Sequence, residues 1–256
     1  MLPKDMKVIM EYLDGEEAAS SMSLIRRLYF KAFAKAAFNL WTRNEELVTL
    51  QWKNVSFQGN GSLEPYISFN LVFRKTNKDP AAGKCLISPW GTSHALITLP
   101  PQPDDPEIDV YPSMREWITH LQDKMQRPLQ PEDYVFPALA STDLLKFGEP
   151  MSRTGIENIL DRLTDASGVM EGRTGKFTTH CFRRGGAQYR FMFAEHKWSM
   201  KAVKWWGGWS AGDDVGTVMR YLLDELSAYE EGFSDIMMKS RNKDRHESFM
   251  GGSRSP

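Results

Sequence analysis

The chain has 256 residues, with 32 Lys and Arg against 33 Asp and Glu, and its side chains are 41% hydrophobic and 25% charged. That length and balance suit one large globular domain or two small ones, and exclude a disordered chain, a collagen-like repeat and a coiled coil. A formal net charge of −1 gives no global pull toward a polyanion, so any nucleic-acid site must be local. No run of about 18 apolar residues reads as a membrane-spanning helix, and the stretch Met1 to Lys7 lacks the apolar core of a signal peptide. Two cysteines, Cys85 and Cys181, leave room for neither a disulfide scaffold nor a four-cysteine zinc site. A reducing intracellular compartment fits them best.

Residues 1–20 read as an N-terminal extension. Leu24, Leu28, Ala32 and Ala36 then recur at helical spacing, with Ile25 and Phe33 alongside, and predict a helix over 21–41. Thr42-Arg-Asn-Glu45 has capping-box spacing and opens a short second helix whose inward face is Leu47 and Leu50. Arg43 falls on its first turn, where unpaired backbone N–H groups favour anions. Strands are predicted at 54–58, 65–74, 84–88 and 95–99. Tyr66 to Phe73 alternates polar and apolar positions, as a strand with one packed and one wet face would. Arg74 to Pro80 is a turn-forming loop. Helices follow at about 113–125 and 153–167, then a loop over 172–176, then helices at about 180–194, 199–206 and 214–228. The polar stretch after Arg241 reads as a disordered tail.

Charge is concentrated in two segments. Ser21 to Asn54 carries Arg26, Arg27, Lys31, Lys35, Arg43 and Lys53 against Glu45 and Glu46. Thr179 to Lys204 carries Arg183, Arg184, Arg190, Lys197, Lys201 and Lys204 against Glu195. Charge runs are usually solvated faces, but these two also hold the residues best suited to chemistry. His180 and Arg183, three apart on a helix, share a face. A guanidinium can fork onto two phosphate oxygens, and an imidazole can donate or move a proton. Trp205-Trp-Gly-Gly-Trp209 puts three indoles in five residues. At least one of Trp205 and Trp206 belongs in a core, while the glycines make a turn that presents Trp209, a hydrogen-bond donor suited to a phosphate oxygen. Tyr221 follows on the next helix and needs nearby cations and a base to become a nucleophile. Lys75, Lys78 and Lys84 are equally placed by composition as a hairpin lysine.

Taken in chain order, these pieces resemble the catalytic domain of tyrosine recombinases, also called phage-integrase-type recombinases. Arg43 to Val55 looks like the family's Arg-x-x-Glu-Leu-x-x-Leu-x-Trp signature, and His180 to Arg183 matches its His-x-x-Arg box. Trp209 fits the next position and Tyr221 the nucleophile. Thr179 to Tyr189 with the Trp-Trp-Gly-Gly-Trp run also resembles recombinases of Crypton-type eukaryotic DNA transposons, fungal ones in particular. The resemblance covers about residues 20–240. It implies a mainly α fold with a small antiparallel sheet (α+β), a catalytic domain over 21–240 and a tail over 241–256.

The implied chemistry is DNA breaking and rejoining through a 3′-phosphotyrosyl link made by Tyr221. In it Arg43 and Arg183 hold the non-bridging oxygens, His180 and Trp209 add hydrogen bonds, and Lys75 protonates the leaving 5′-oxygen. No metal and no other cofactor is implied. The partner is double-stranded DNA, with Arg184, Lys53, Arg74, Lys78 and Lys204 as further candidate contacts. A nuclear location follows if the source is eukaryotic.

Four features depart from the family pattern, the first being Arg184, which stands where many members have His. The gap from Trp209 to Tyr221 is long, with the excess in Ser210 to Asp214, which keeps Tyr229 as a second candidate nucleophile. Asp213 and Asp214 bring negative charge near the DNA path. The separate N-terminal clamp domain of family members has no counterpart in 1–20, so the expectation is a fragment or a remnant of a mobile element. The stripe Leu222, Leu226, Tyr229, Phe233 and Ile236 or Met237 within 222–237 serves either self-association on DNA or packing on its own domain. The alternative functions are a catalytically inactive, transposon-derived DNA-binding or regulatory protein of the same fold, and an α-rich interaction protein with no nucleic-acid role.

Overall fold

The computed structural model describes residues 1–58, 65–71, 96–173, 175–209 and 218. The chain falls into two units, Met1–Asp213 and Asp214–Pro256, and all described residues except Val218 belong to the first.

The first unit is organised round α3 (Leu24–Leu40). Ser23 caps it, its hydroxyl accepting from the Arg26 N–H, and it ends at Trp41 in the left-handed region (φ 50). From Leu28 to Leu40 only Lys31 escapes full burial. A helix covered all round is a central one. Its two buried polar side chains are satisfied. Lys35 donates to the Pro106 carbonyl at 2.8 Å, and Asn39 donates to the carbonyls of Lys35 and Ile108 at 3.0 and 2.7 Å. Burial pushes the Lys35 ammonium below its ordinary pKa.

Around α3 lie α1 (Pro3–Asp14), α5 (Val110–Met125) and α7 (His180–Gln188). Tyr29, Phe33 and Phe136 pack edge to face or stacked at 5.3 to 6.4 Å, with Trp117 of α5 against Tyr29 at 5.2 Å. Such offset and edge-on contacts are the favoured aromatic geometries. The Trp117 indole donates to the Val135 carbonyl at 2.8 Å. The rest of the unit comprises α2 (Glu16–Ser21), α4 (Asn44–Val48), α6 (Arg153–Ala166) and α8 (Met200–Trp206). A one-turn 3-10 helix covers Trp52–Asn54, and a π-helical turn, Tyr189–Phe193, directly continues α7. One sheet has the order β1 (Val55–Gln58), β2 (Tyr66–Asn70), β3 (Leu96–Leu99), antiparallel throughout. A second pairs β4 (Pro137–Leu139) with β5 (Leu145–Pro150). The fold is therefore mainly helical with small antiparallel sheets, as the sequence implies.

Four differences from the sequence reading have physical causes. Residues 1–20 form α1 and most of α2, and Met6, Ile9 and Leu13 are buried in the common core. The cap of α4 is Arg43 and not Thr42. The carboxylate that closes the box is Glu46, which accepts from the Arg43 backbone N–H at 2.9 Å. β2 does not alternate: Ile67, Ser68 and Phe69 are all buried, because both its neighbours are strands and Ser68 finds a partner in Thr98 at 3.0 Å. The predicted helix over 180–194 changes to π geometry at Tyr189. The predicted strand at 84–88, the loop at 74–80, the helix at 214–228 and the tail lie outside the described residues.

Candidate active site

Two sequence boxes meet at the C-terminal end of α3. Trp41 turns the chain in the left-handed conformation and leads through buried Thr42 to Arg43, which starts α4 in an extended conformation. The Arg43 guanidinium donates to Glu46 Oε1 at 3.0 Å, so the same carboxylate holds both the backbone and the side chain of Arg43. The Arg43 side chain remains 41% exposed.

α7 lies against this turn because two of its residues have no side chain. A Cβ on Gly186 would stand 2.1 Å from the Phe38 carbonyl oxygen and 2.4 Å from the Trp41 indole nitrogen; one on Gly185 would stand 1.5 Å from the Met1 carbonyl oxygen. Only glycine allows that approach. Phe182, on the same side, packs against Phe30 and Phe33 at 6.2 and 6.4 Å. The opposite side of α7 carries His180, Arg183 and Arg184.

Arg183 is 3% exposed. Its guanidinium donates to the Trp41 carbonyl through Nη1 and to the Gly207 carbonyl through Nη2 at 2.7 Å. The Trp209 ring covers its face, with the guanidinium carbon 4.8 Å from the ring centroid, a close cation–π contact. Trp209 reaches that position because α8 ends in a tight turn. Gly208 takes φ +66, and the Trp209 N–H returns to the Lys204 carbonyl at 2.9 Å. Trp206 packs on the core, and its indole donates to the Asn39 carbonyl at 2.8 Å. Trp41, Trp198 and Trp206 form the wall behind the turn, with centroids 5.0 to 6.3 Å apart.

His180 opens α7 and reaches solvent. Its pKa lies below the ordinary 6.5, first through partial desolvation and then through the positive charges of Arg183, Arg184, Arg43 and Arg153. The ring is therefore neutral near pH 7, with a lone pair able to accept a proton. Arg184 is half-buried. Its Nε and Nη2 are shut off from solvent and have no hydrogen-bond partner among the described residues.

Of the residues expected from the sequence, Arg43, His180, Arg183 and Arg184 come together, and Trp209 lies over Arg183. The expectation set the Trp209 N–H on a phosphate; in the structure its ring face rests on a guanidinium. Lys53 is exposed on the 3-10 helix, and its backbone N–H bonds to the Pro131 carbonyl at 2.9 Å. Lys204 is half-buried in the last turn of α8. Lys75, Arg74, Lys78, Tyr221 and Tyr229 lie outside the described residues. Arg153 is the cation that sequence reasoning missed. It opens α6, is 71% exposed, and is paired with Glu157 at 2.9 Å. Its only signal in the sequence was its place just after Ser152, which caps α6 by accepting from the Gly155 N–H at 3.0 Å. Among the described residues no group of three or more His, Cys, Asp or Glu is placed to hold a metal ion.

The arrangement has the chemistry to hold an anion: guanidiniums near a neutral imidazole, contributed by the start of α4, the start of α6 and α7. Solved structures share the fold that builds it. A XerH site-specific recombinase bound to difH substrate in a pre-cleavage complex aligns with TM-score 0.54 and 14% identity. The post-cleavage complex of XerH with a palindromic difH substrate aligns with TM-score 0.52 and 14% identity. Each alignment covers 90% of this chain and 53% of the recombinase, so the chain spans about half the length of these proteins. No protein-family model and no curated protein sequence matches the chain. The likeness shows the fold alone, one shared with these recombinases.

Proposed function

We propose that this chain binds double-stranded DNA and breaks and rejoins it through a 3′-phosphotyrosyl intermediate formed by Tyr221. The observation that carries the reading is the convergence of Arg43, Arg183, Arg184 and Arg153 on His180, on a fold shared with DNA-bound recombinases. Phosphodiester transfer places extra negative charge on the non-bridging oxygens in its transition state, and positioned guanidiniums in a partly desolvated site stabilise that charge. His180, neutral near pH 7, takes the tyrosine proton, and Lys75 returns one to the leaving 5′-oxygen. The bond to tyrosine replaces the bond broken in DNA, so no nucleotide is consumed. A Crypton-type transposon origin and a nuclear location belong to the same proposal and follow from the sequence resemblance, as does self-association on DNA through residues 222–237.

The test is an SDS-resistant covalent adduct between the purified protein and nicked random-sequence duplexes at low salt. The adduct forms with the native chain and disappears in Tyr221→Phe. If Tyr221→Phe retains it, Tyr229 is the nucleophile and the assignment fails. A second reading, a DNA-binding protein that does not cleave, is favoured by one observation: two Arg183 nitrogens are already occupied by backbone carbonyls. DNA retention with no adduct in any variant selects that reading.

A further inference from the structure

α7 passes into π geometry at Tyr189, and that turn re-aims the side chains that follow it. π-helical turns are rare, and many sit at functional sites. Here the Ala194 N–H returns to the Tyr189 carbonyl at 2.7 Å and closes the turn. The Tyr189 hydroxyl donates to Asp105 Oδ2 at 3.3 Å, and the Arg190 guanidinium donates to Gln102 Oε1 at 2.7 Å. Arg190 is half-buried, and burial pushes its guanidinium below the ordinary pKa. That cost is met by ring faces: the guanidinium carbon lies 5.3 Å from the Tyr189 centroid and 5.8 Å from that of Trp198. The Arg190 carbonyl also accepts the Trp198 N–H at 2.8 Å. Arg190 thus holds Trp198 by backbone and side chain together.

Trp198 in turn touches both ends of the fork that holds Arg183. Its ring centroid lies 5.5 Å from that of Trp41 and 5.0 Å from that of Trp206. Trp41 supplies one carbonyl acceptor of the Arg183 guanidinium, and Trp206 directly precedes Gly207, which supplies the other. Trp198 also directly precedes Ser199, whose hydroxyl caps α8 by accepting from the Ala202 N–H at 3.2 Å. Its place therefore sets where α8 begins, and through α8 where the Gly207 turn falls. Close-packed rings are stiff and pass displacement on to their neighbours.

We propose that Trp198, held from outside by Arg190, is a positioning residue that fixes the gap between the Trp41 and Gly207 carbonyls and so the aim of Arg183. Neither Trp198 nor Arg190 touches substrate. The guanidinium fork is planar and rigid, so a change in that gap leaves one carbonyl unmet or turns the plane. The consequence for catalysis rests on the phosphoryl-transfer reading, in which Arg183 holds a non-bridging oxygen. There a misplacement of about 1 Å costs about 100-fold in rate. The aim of Arg183 can itself be read without any reaction.

The experiment compares the native full chain with Trp198→Leu, Trp198→Phe and Arg190→Gln. Trp117→Phe, which loses the indole donor to Val135 in the core, controls for a plain loss of stability. NMR follows the Arg183 Nε–H signal, which the Trp209 ring over the guanidinium shifts upfield, at temperatures well below each unfolding midpoint. In Trp198→Leu the signal moves back toward the random-coil position. Trp198→Phe, which keeps a ring, retains most of the upfield shift, and Arg190→Gln retains less. Trp117→Phe leaves the signal in place although its midpoint falls. In single-turnover adduct formation on nicked duplexes, Trp198→Leu is slower by at least about tenfold while DNA affinity changes by less than about threefold. The proposal is overturned if folded Trp198→Leu keeps the native Arg183 signal, or if Trp117→Phe loses it to the same degree. Should Trp198→Leu fail to fold, Arg190→Gln decides: a native signal overturns the proposal and a reduced shift supports it. The two readings fail separately. No adduct from the native chain removes the proposed function, and the Arg183 signal still decides this inference. A native adduct, with rate and Arg183 signal both unchanged in Trp198→Leu, removes this inference and leaves the proposed function.

Discussion

Replacing Gly186 by alanine tests the packing that brings α7 to the end of α3. The new Cβ would stand 2.1 Å from the Phe38 carbonyl oxygen and 2.4 Å from the Trp41 indole nitrogen. Ordinary contact lies near 3.5 Å, so the two helices must part by roughly 1 Å. Overpacking of this kind costs about 1–3 kcal/mol, and a clash against backbone at the upper end. Alanine regains about 1 kcal/mol through helix propensity. The net loss is about 2 kcal/mol, which for a chain of this size lowers Tm by roughly 4–8 °C. The assay is urea and thermal unfolding, with Gly148→Ala as control, since a Cβ there meets nothing within 4 Å. The control should be neutral or slightly stabilised. If Gly186→Ala unfolds at or above the native midpoint, the α3–α7 approach is looser than described and the placement of His180 and Arg183 falls with it.

Other consequences follow from the same site. Arg183→Gln removes two charge-assisted hydrogen bonds to buried carbonyls and should cost about 3 kcal/mol or more, read as a drop in the urea midpoint at unchanged m-value; a loss under about 1 kcal/mol would show that those carbonyls are satisfied another way. Arg43→Gln, with its side chain 41% exposed, should leave stability within about 1 kcal/mol but weaken DNA binding and reduce the slope of log K against log salt by about one; an unchanged slope would remove Arg43 from the DNA contacts. His180 has its folded pKa lowered below 6.5, so between the two values the unfolded chain binds more protons and stability rises with pH. That contribution is complete above about pH 6.5 and is lost as the pH falls through the lowered value. His180→Gln should flatten the acid side of the stability curve in that window, and an unaltered curve would contradict the lowered pKa.

Much of this architecture can be read from periodicity. The spacing of Leu24, Leu28, Ala32 and Ala36 marks α3 to within three residues at its start and one at its end. The apolar faces of α5, α6 and α8 mark those helices similarly. What the pattern cannot show is what the helices meet. Ser68 reads as a wet-face residue until β3 is known to lie beside it with Thr98. In the hairpin of β4 and β5 only Leu145 to Gly148 alternates, and the partner strand is three residues long with a register shift between Pro137 and Ala138, so the pairing leaves little pattern. α1 keeps helical spacing at Met6, Ile9 and Leu13, but that spacing does not show that the helix packs into the same core as α3. The site was legible as residue types, since Arg43, His180, Arg183 and Arg184 all stand out from the sequence. Their division of labour was not. That Arg183 is buried under Trp209 while Arg184 Nε and Nη2 lack an acceptor among the described residues depends on which side of α7 faces the Gly207 turn, and spacing along one helix leaves that open. Arg153 was missed for the same reason: α6 reaches His180 only through tertiary packing.

The fork of Arg183 also sets when the site can exist. It joins a carbonyl 142 residues earlier in the chain to one 24 residues later. During synthesis α3 and Arg43 emerge first, α7 follows, and the Gly207 turn comes last. Until it arrives, Arg183 has one of its two carbonyl anchors and no indole above it. Contacts of such long sequence separation form late in folding. The cation cluster therefore reaches its final arrangement only when nearly the whole first unit has been made, and a chain cut short before Gly207 carries the charged residues without the geometry that sets them to work.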